Sequence, residues 1–207
     1  MRLSFVVKSL LQKEKRLRII ILGADNAGKT SILRSFMNQN ILDIAPTFGY
    51  QIVDTTCTVG GLQYSVEFLD IGGQASIRAY WDTYYAGADG VLFVYDNYGS
   101  SEYMDILKAT VSHPTLRHSA FICAANKVDD DSDSNKQGTI EIARHQIDEE
   151  VPFDFVASIK NLGNASKTEK QAIPIIYTSA KTGKNIKKIF STLLETILKN
   201  RADHGLL

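Results

Sequence analysis

Gly23-Ala24-Asp25-Asn26-Ala27-Gly28-Lys29-Thr30 stands between an apolar run at residues 18–23 and an amphipathic helical pattern at residues 30–38, and its reading decides the fold. The stretch fits G-x-x-x-x-G-K-[ST] in the strand, loop and helix setting that this spacing requires. Its glycines let the backbone curl so that successive N–H groups point inward, and the following helix adds its positive N-terminal end. Both favour a phosphate group. Lys29 is then placed to reach β- and γ-phosphates, and the Thr30 hydroxyl to ligate Mg²⁺. Asp25, Asn26, Ala27, Gly28, Lys29, Thr30 and Ser31 are accordingly candidate nucleotide-binding positions. The plainer alternative is a glycine-punctuated turn from strand to helix.

Outward from this loop, short apolar runs alternate with helical patterns, the signature of βαβ units and a parallel sheet covered on both faces. Residues 18–23, 66–69, 90–95, 121–125 and 173–177 read as buried strands. Residues 50–59 form a further strand that runs into Gly60-Gly61, which predicts an antiparallel hairpin at the sheet edge. Helices are expected over 30–38, 76–85, 101–112 and 138–150. A last one carries Ile186, Ile189, Phe190, Leu193, Leu194, Ile197 and Leu198 as one apolar stripe. The prediction is an α/β P-loop NTPase domain over 16–201. Its six-stranded sheet is mostly parallel, with one antiparallel edge strand and helices on both faces. An amphipathic helix at 1–15 precedes it and a short tail at 202–207 follows.

Composition narrows the function. The 207 residues are 44% apolar, enough for a core without disulfides, and Cys57 and Cys123 stand too far apart to suggest a cystine framework. No apolar run approaches the roughly 20 residues of a membrane span. Acidic and basic side chains balance at 23 each, so no overall basic excess points to nucleic acid. The balance averages opposed blocks: +5 over 1–18, −7 over 129–154 and +5 over 181–201.

Asp70-Ile71-Gly72-Gly73-Gln74 follows the strand at 66–69. A carboxylate at the end of a strand beside a phosphate loop lies where it can hold Mg²⁺ through the ion's water shell, and an adjacent glycine lets a backbone N–H approach a γ-phosphate. Gln74 could orient a water. Asn126-Lys127-Val128-Asp129 follows the strand at 121–125. Guanine offers an N1–H and an amine in a fork that one carboxylate accepts, so Asp129 gives a reason for guanine over adenine. The Lys127 stem can lie over the base, and Asn126 can tie this loop to the phosphate loop. Thr178-Ser179-Ala180-Lys181, after the last strand, would set a backbone N–H against the guanine carbonyl.

With these four elements in order, the chain resembles the Ras-superfamily small GTPases, and within them the Arf and Arf-like branch. The resemblance covers residues 16–201. It is carried by Asp25-Asn26-Ala27, Pro46-Thr47-Phe48-Gly49-Tyr50, the doubled glycine of 70–74, and Arg78-Ala79-Tyr80-Trp81 followed by Tyr84-Tyr85. It implies that Thr47 ligates Mg²⁺ with Thr30 and Asp70, that Gly73 supplies the γ-phosphate-sensing amide, and that Gln74 positions the attacking water. Ser179, Ala180 and Lys181 join Asn126, Lys127 and Asp129 at the base. Further implications are GTP and GDP with Mg²⁺ as cofactors, slow hydrolysis that relies on Gln74 and Lys29, and a monomer. An exchange factor, a GTPase-activating protein and effectors would be its partners, in membrane traffic or cytoskeletal or ciliary cargo regulation. The alternatives are a nucleotide-dependent scaffold without useful hydrolysis, against which Gln74 argues, and another type of ATPase or kinase, against which Asp129 argues.

Other features carry expectations of their own. Arg2 excludes N-myristoylation and neither cysteine lies near the end for prenylation, so the protein is expected in the cytoplasm. Leu3, Val6, Val7, Leu10 and Leu11 make the apolar face of a basic helix. That helix either packs on its own domain or, through residues 2–11, makes weak peripheral contact with an anionic membrane in the GTP state. Residues 130–178 are expected to hold helices near 138–150 and 152–162. Asp130, Asp131, Asp133 and Asn135 lack the glycine and terminal glutamate of a calcium loop and read as solvated. His113, His118, His145 and His204 show no metal-ligand spacing, and Tyr80, Trp81, Tyr84 and Tyr85 either pack or form an effector surface.

Overall fold

Alternation of side chains along the apolar runs builds a two-faced sheet in the computed structural model, which describes residues 15–96, 101–128 and 173–203. The strands are β1 (Arg16–Leu22), β2 (Tyr50–Val59), β3 (Leu62–Ile71), β4 (Gly90–Asp96), β5 (Ala120–Asn126) and β6 (Ile175–Tyr177). Their spatial order is β2-β3-β1-β4-β5-β6, with β2 and β3 antiparallel and the other pairs parallel. The helices are α1 (Lys29–Phe36), α2 (Ala75–Arg78), α3 (Ser101–Val111) and α4 (Ile186–Asp203). The expected helices at 138–150 and 152–162 and the expected leader helix at 1–15 fall outside the described residues, save for Lys15.

Each strand sends alternate residues to opposite layers. Leu17, Ile19 and Ile21 of β1 join Phe68, Leu92, Val94 and Ile122 beneath α1 and α4, where Ile32, Leu33, Ile189, Phe190, Leu193 and Ile197 complete one core. Ile20 and Leu22 point the other way, toward Leu69, Phe93, Cys123, Trp81, Tyr85 and Leu107. Phe190 lies 4.1 Å from Phe36 and 5.2 Å from Phe68 between ring centroids, so one aromatic trio fastens α4 to α1 and β3.

The hairpin between β2 and β3 is longer than the apolar run at 66–69 suggests. It pairs without a break from Tyr50 opposite Ile71 to Val59 opposite Leu62. Gly60 and Gly61 close it with φ of 57° and 79°, the two positive angles that a two-residue type I′ turn requires. Residues 76–85 are not one helix. α2 stops at Arg78, Tyr80 adopts φ −113° and ψ 3°, and a 3₁₀ turn follows at Trp81–Tyr84. The reason is packing: the Trp81 indole is buried and donates to the Gly72 carbonyl at 3.0 Å, which a continuous helix would not allow.

At the end of the sheet where β1 starts, Asp89 gathers three donors. Its Oδ2 accepts from the Arg18 amide at 2.7 Å, and its Oδ1 from Arg201 Nε at 3.0 Å and Nη2 at 2.7 Å. Arg201 Nη2 also donates to the Arg16 carbonyl at 2.8 Å. Asp89→Ala removes the acceptor that the Arg18 amide and the Arg201 guanidinium share and is expected to cost about 2 kcal/mol. Thermal unfolding should then move down by roughly 4–8 °C, with nucleotide affinity unchanged. An unaltered melting temperature would show that water replaces the carboxylate without loss.

Candidate functional site

The loop after β1 is built around Lys29. Its side chain is buried, and its Nζ donates to the carbonyls of Gly23 at 2.9 Å and Ala24 at 2.8 Å. Burial lowers its pKa to about 8, against the opposing pull of Asp70 and Asp25. Two carbonyls compensate a buried ammonium poorly, and an anion would do so better. α1 begins at Lys29 with Gly28 as its cap, no capping side chain and no acid in its first turn, so the cap position and first turn present no side-chain carboxylate to an anion. Ala27 is buried and Ser31 half-buried along this loop and helix, while Asp25 and Asn26 are exposed.

Three sequence-separated hydroxyl and carboxyl groups converge beside the loop. Thr30 Oγ1 donates to Asp70 Oδ2 at 2.6 Å and lies 2.9 Å from Thr47 Oγ1. Gln51 Nε2 donates to the same Oδ2 at 2.7 Å, while Asp70 Oδ1 is buried and has no hydrogen-bond partner among the described residues. Burial pushes the Asp70 carboxyl up, and its two donors and Lys29 pull it down. An orphaned carboxylate oxygen next to two threonine hydroxyls is a hard-oxygen donor set, and it fits Mg²⁺. The described residues hold no cluster of three or more His, Cys, Asp or Glu side chains for a metal. Gln51 escaped the sequence reading. The signal lay in β2, whose alternation puts Gln51 on the inward row with Val53, Cys57 and Val59.

Gly72 and Gly73 seat the end of β3 against this loop. The Gly72 amide donates to the Gly49 carbonyl at 2.8 Å. A Cβ on Gly73 would stand 2.5 Å from the carbonyl oxygens of Gly23 and Ala24, too close for any other residue. Gln74 follows as the cap of α2, half-buried, its carbonyl accepting from the amides of Ile77 and Arg78.

Asn126 joins three loops. Buried at the end of β5, it donates from Nδ2 to the Ala27 carbonyl at 3.0 Å and accepts at Oδ1 from the Ala180 amide at 3.1 Å. Lys127 has a left-handed φ of 65°, and its Nζ is 3.5 Å from Asp96 Oδ2. Ser179 is buried and accepts from the Thr182 amide at 3.0 Å, while Lys181 stands exposed beyond Ala180. The Ala180 amide is thus engaged by Asn126 in this structure. Asp129, the expected guanine reader, lies outside the described residues.

Residues 3–197 match the family model of the ADP-ribosylation factor family. ADP-ribosylation factor-like protein alp41 of Schizosaccharomyces pombe is 30% identical over 93% of this chain and 92% of its own length. ADP-ribosylation factor-like protein 2 of Dictyostelium discoideum is 40% identical over 62% of this chain and 70% of its own. The Arabidopsis thaliana protein of the same name is 28% identical over 95% and 96%.

Proposed function

Because the chain belongs to the ADP-ribosylation factor family, whose members are GTPases, we propose that it is a Mg²⁺-dependent guanine-nucleotide switch that hydrolyses GTP slowly. The observation that carries this reading is the meeting of Lys29, Thr30, Thr47 and Asp70 at one loop, with one Asp70 oxygen unpartnered. Thr30, Thr47 and Asp70 would hold Mg²⁺, which would supply positive charge to the phosphates. Lys29 exchanges its two carbonyl partners for phosphate oxygens. The Gly73 amide and Thr47 read the γ-phosphate, so its loss releases both flanking segments. Gln74, one residue beyond Gly73, orients the attacking water. Asn126 keeps the base loops against the phosphate loop, and Lys127 and Asp129, with the segment 179–181, select guanine.

The same reading assigns an effector surface. Phe48 is 78% exposed and Tyr80 63%, Tyr50 and Ile52 are half-exposed, and the Tyr84 ring lies against that of Tyr50 at 5.1 Å between centroids. Aromatic side chains held this way are suited to anchoring a partner. Their position next to Thr47 and Gln74 would make the anchoring depend on the nucleotide. An exchange factor and an activating protein would set the rates, the latter supplying charge that Lys29 alone does not. We place the protein in the cytoplasm, with weak peripheral membrane contact through residues 2–11 in the GTP state.

Single-turnover GTP hydrolysis tests the catalytic part. Gln74→Leu is expected to slow the intrinsic rate about 10- to 100-fold, the order of loss that follows from misorienting one reactant, with GTP affinity preserved. An unchanged rate would remove Gln74 from the reaction. A wild-type rate no faster than GTP in buffer would favour the scaffold that binds without hydrolysing.

A further inference from the structure

The two oxygens of Asp70 are held unequally, and Gln51 accounts for the difference. Both donors to Asp70 fall on Oδ2, Thr30 Oγ1 at 2.6 Å and Gln51 Nε2 at 2.7 Å, and Oδ1 is left buried without a donor among the described residues. Gln51 is the residue directly opposite Asp70 in the antiparallel ladder of β2 and β3. Cross-strand neighbours have Cβ atoms about 4.5–5.5 Å apart, a gap that a glutamine amide can bridge. The Gln51 side chain is half-buried, on the row that Val53, Cys57 and Val59 turn toward the core beneath α1. A polar side chain on such a row is retained at a penalty unless it finds a partner, and here the partner is the carboxylate beside Thr30 and Thr47.

We propose that Gln51 is a positioning residue for the metal-binding carboxylate. By occupying Oδ2 together with Thr30, it fixes the rotation of the Asp70 carboxyl and keeps Oδ1 free of protein donors. A residue on β2, four positions after Thr47, thereby tunes the affinity for Mg²⁺ without touching nucleotide. The role rests on the Mg²⁺ reading given above. Orientation of a carboxylate that holds a metal, directly or through its water shell, by an outer hydrogen bond is expected to be worth about 10-fold in metal affinity, at the low end of the range for such partners. Leucine is close to glutamine in size but cannot donate, so Gln51→Leu frees the carboxyl to rotate and leaves the strand able to pair.

The test is dissociation of a fluorescent, non-hydrolysable GTP analogue from the full-length protein, followed across free Mg²⁺ from chelator to millimolar. Wild type should release nucleotide slowly at high Mg²⁺ and quickly in chelator. Gln51→Leu should move the Mg²⁺ midpoint upward about tenfold, with the rate in chelator and the melting temperature little changed. Gln51→Met should do the same. In an Asp70→Asn background, Gln51→Leu should produce no further shift, because the carboxylate it orients is gone. Equal midpoints for wild type and both Gln51 variants would overturn the positioning role and leave the Mg²⁺ reading standing, as would an equal Gln51→Leu shift in both backgrounds. Release from wild type that ignores Mg²⁺ altogether would overturn the Mg²⁺ reading and this role with it.

Discussion

Lys29→Met lowers affinity for GTP and GDP about 10³-fold, ~4 kcal/mol, and leaves the nucleotide-free protein at least as stable as wild type. The two halves of this expectation have one cause. The ammonium is buried against two backbone carbonyls, and burial is the largest cause that brings its pKa down to about 8. The charge is therefore a burden on the fold wherever no anion offsets it. Methionine fills similar space without it, so the fold loses little. Nucleotide, in contrast, loses a buried cation, in a setting where charge-assisted hydrogen bonds are strongest. Equilibrium binding and thermal unfolding on the same preparations check both halves. A melting temperature that falls in parallel with affinity would mean that Lys29 is mainly a structural brace for Gly23 and Ala24.

Asn126→Ala should be the most damaging change among the base loops. One side chain satisfies the Ala27 carbonyl and the Ala180 amide, at 3.0 and 3.1 Å. Truncation leaves both buried groups without a partner, at about 1–3 kcal/mol each. We expect about 3 kcal/mol of lost stability, a melting temperature roughly 6–12 °C lower, and nucleotide release faster by about two orders of magnitude. The kinetic effect follows because the phosphate loop and the loops after β5 and β6 no longer share a pin. Stopped-flow release of a fluorescent guanine nucleotide measures it. If stability falls and release does not change, the three loops hold their positions independently.

The loop after β1 was legible in the sequence because strand, glycines, lysine and helix are one uninterrupted segment. The parallel sheet was legible for a related reason, since strands buried on both faces must read as short apolar runs. What escaped was set by contacts distant in sequence. The break at Tyr80 has no local breaker, and it exists because the Trp81 indole reaches back to the Gly72 carbonyl. The full length of β3 was obscured because Leu62, Gln63 and Ser65 are exposed, so only the inner half of the strand looks like one. Gln51 was hidden by its type: a glutamine in a strand of threonines and valines looks like surface until Asp70 is found opposite it.

The contact between Arg201 and the carbonyl of Arg16 joins the last helical turn to the first residue of the first strand. The chain of the domain is therefore almost a closed ring, whose entry and exit meet at one pole. The phosphate loop lies at the other, separated by the length of β1, about 20 Å at the usual rise per residue. An attachment made at Lys15 or at Asp203 would hold the protein by that pole, with the loop after β1 at the far end like the head of a pin.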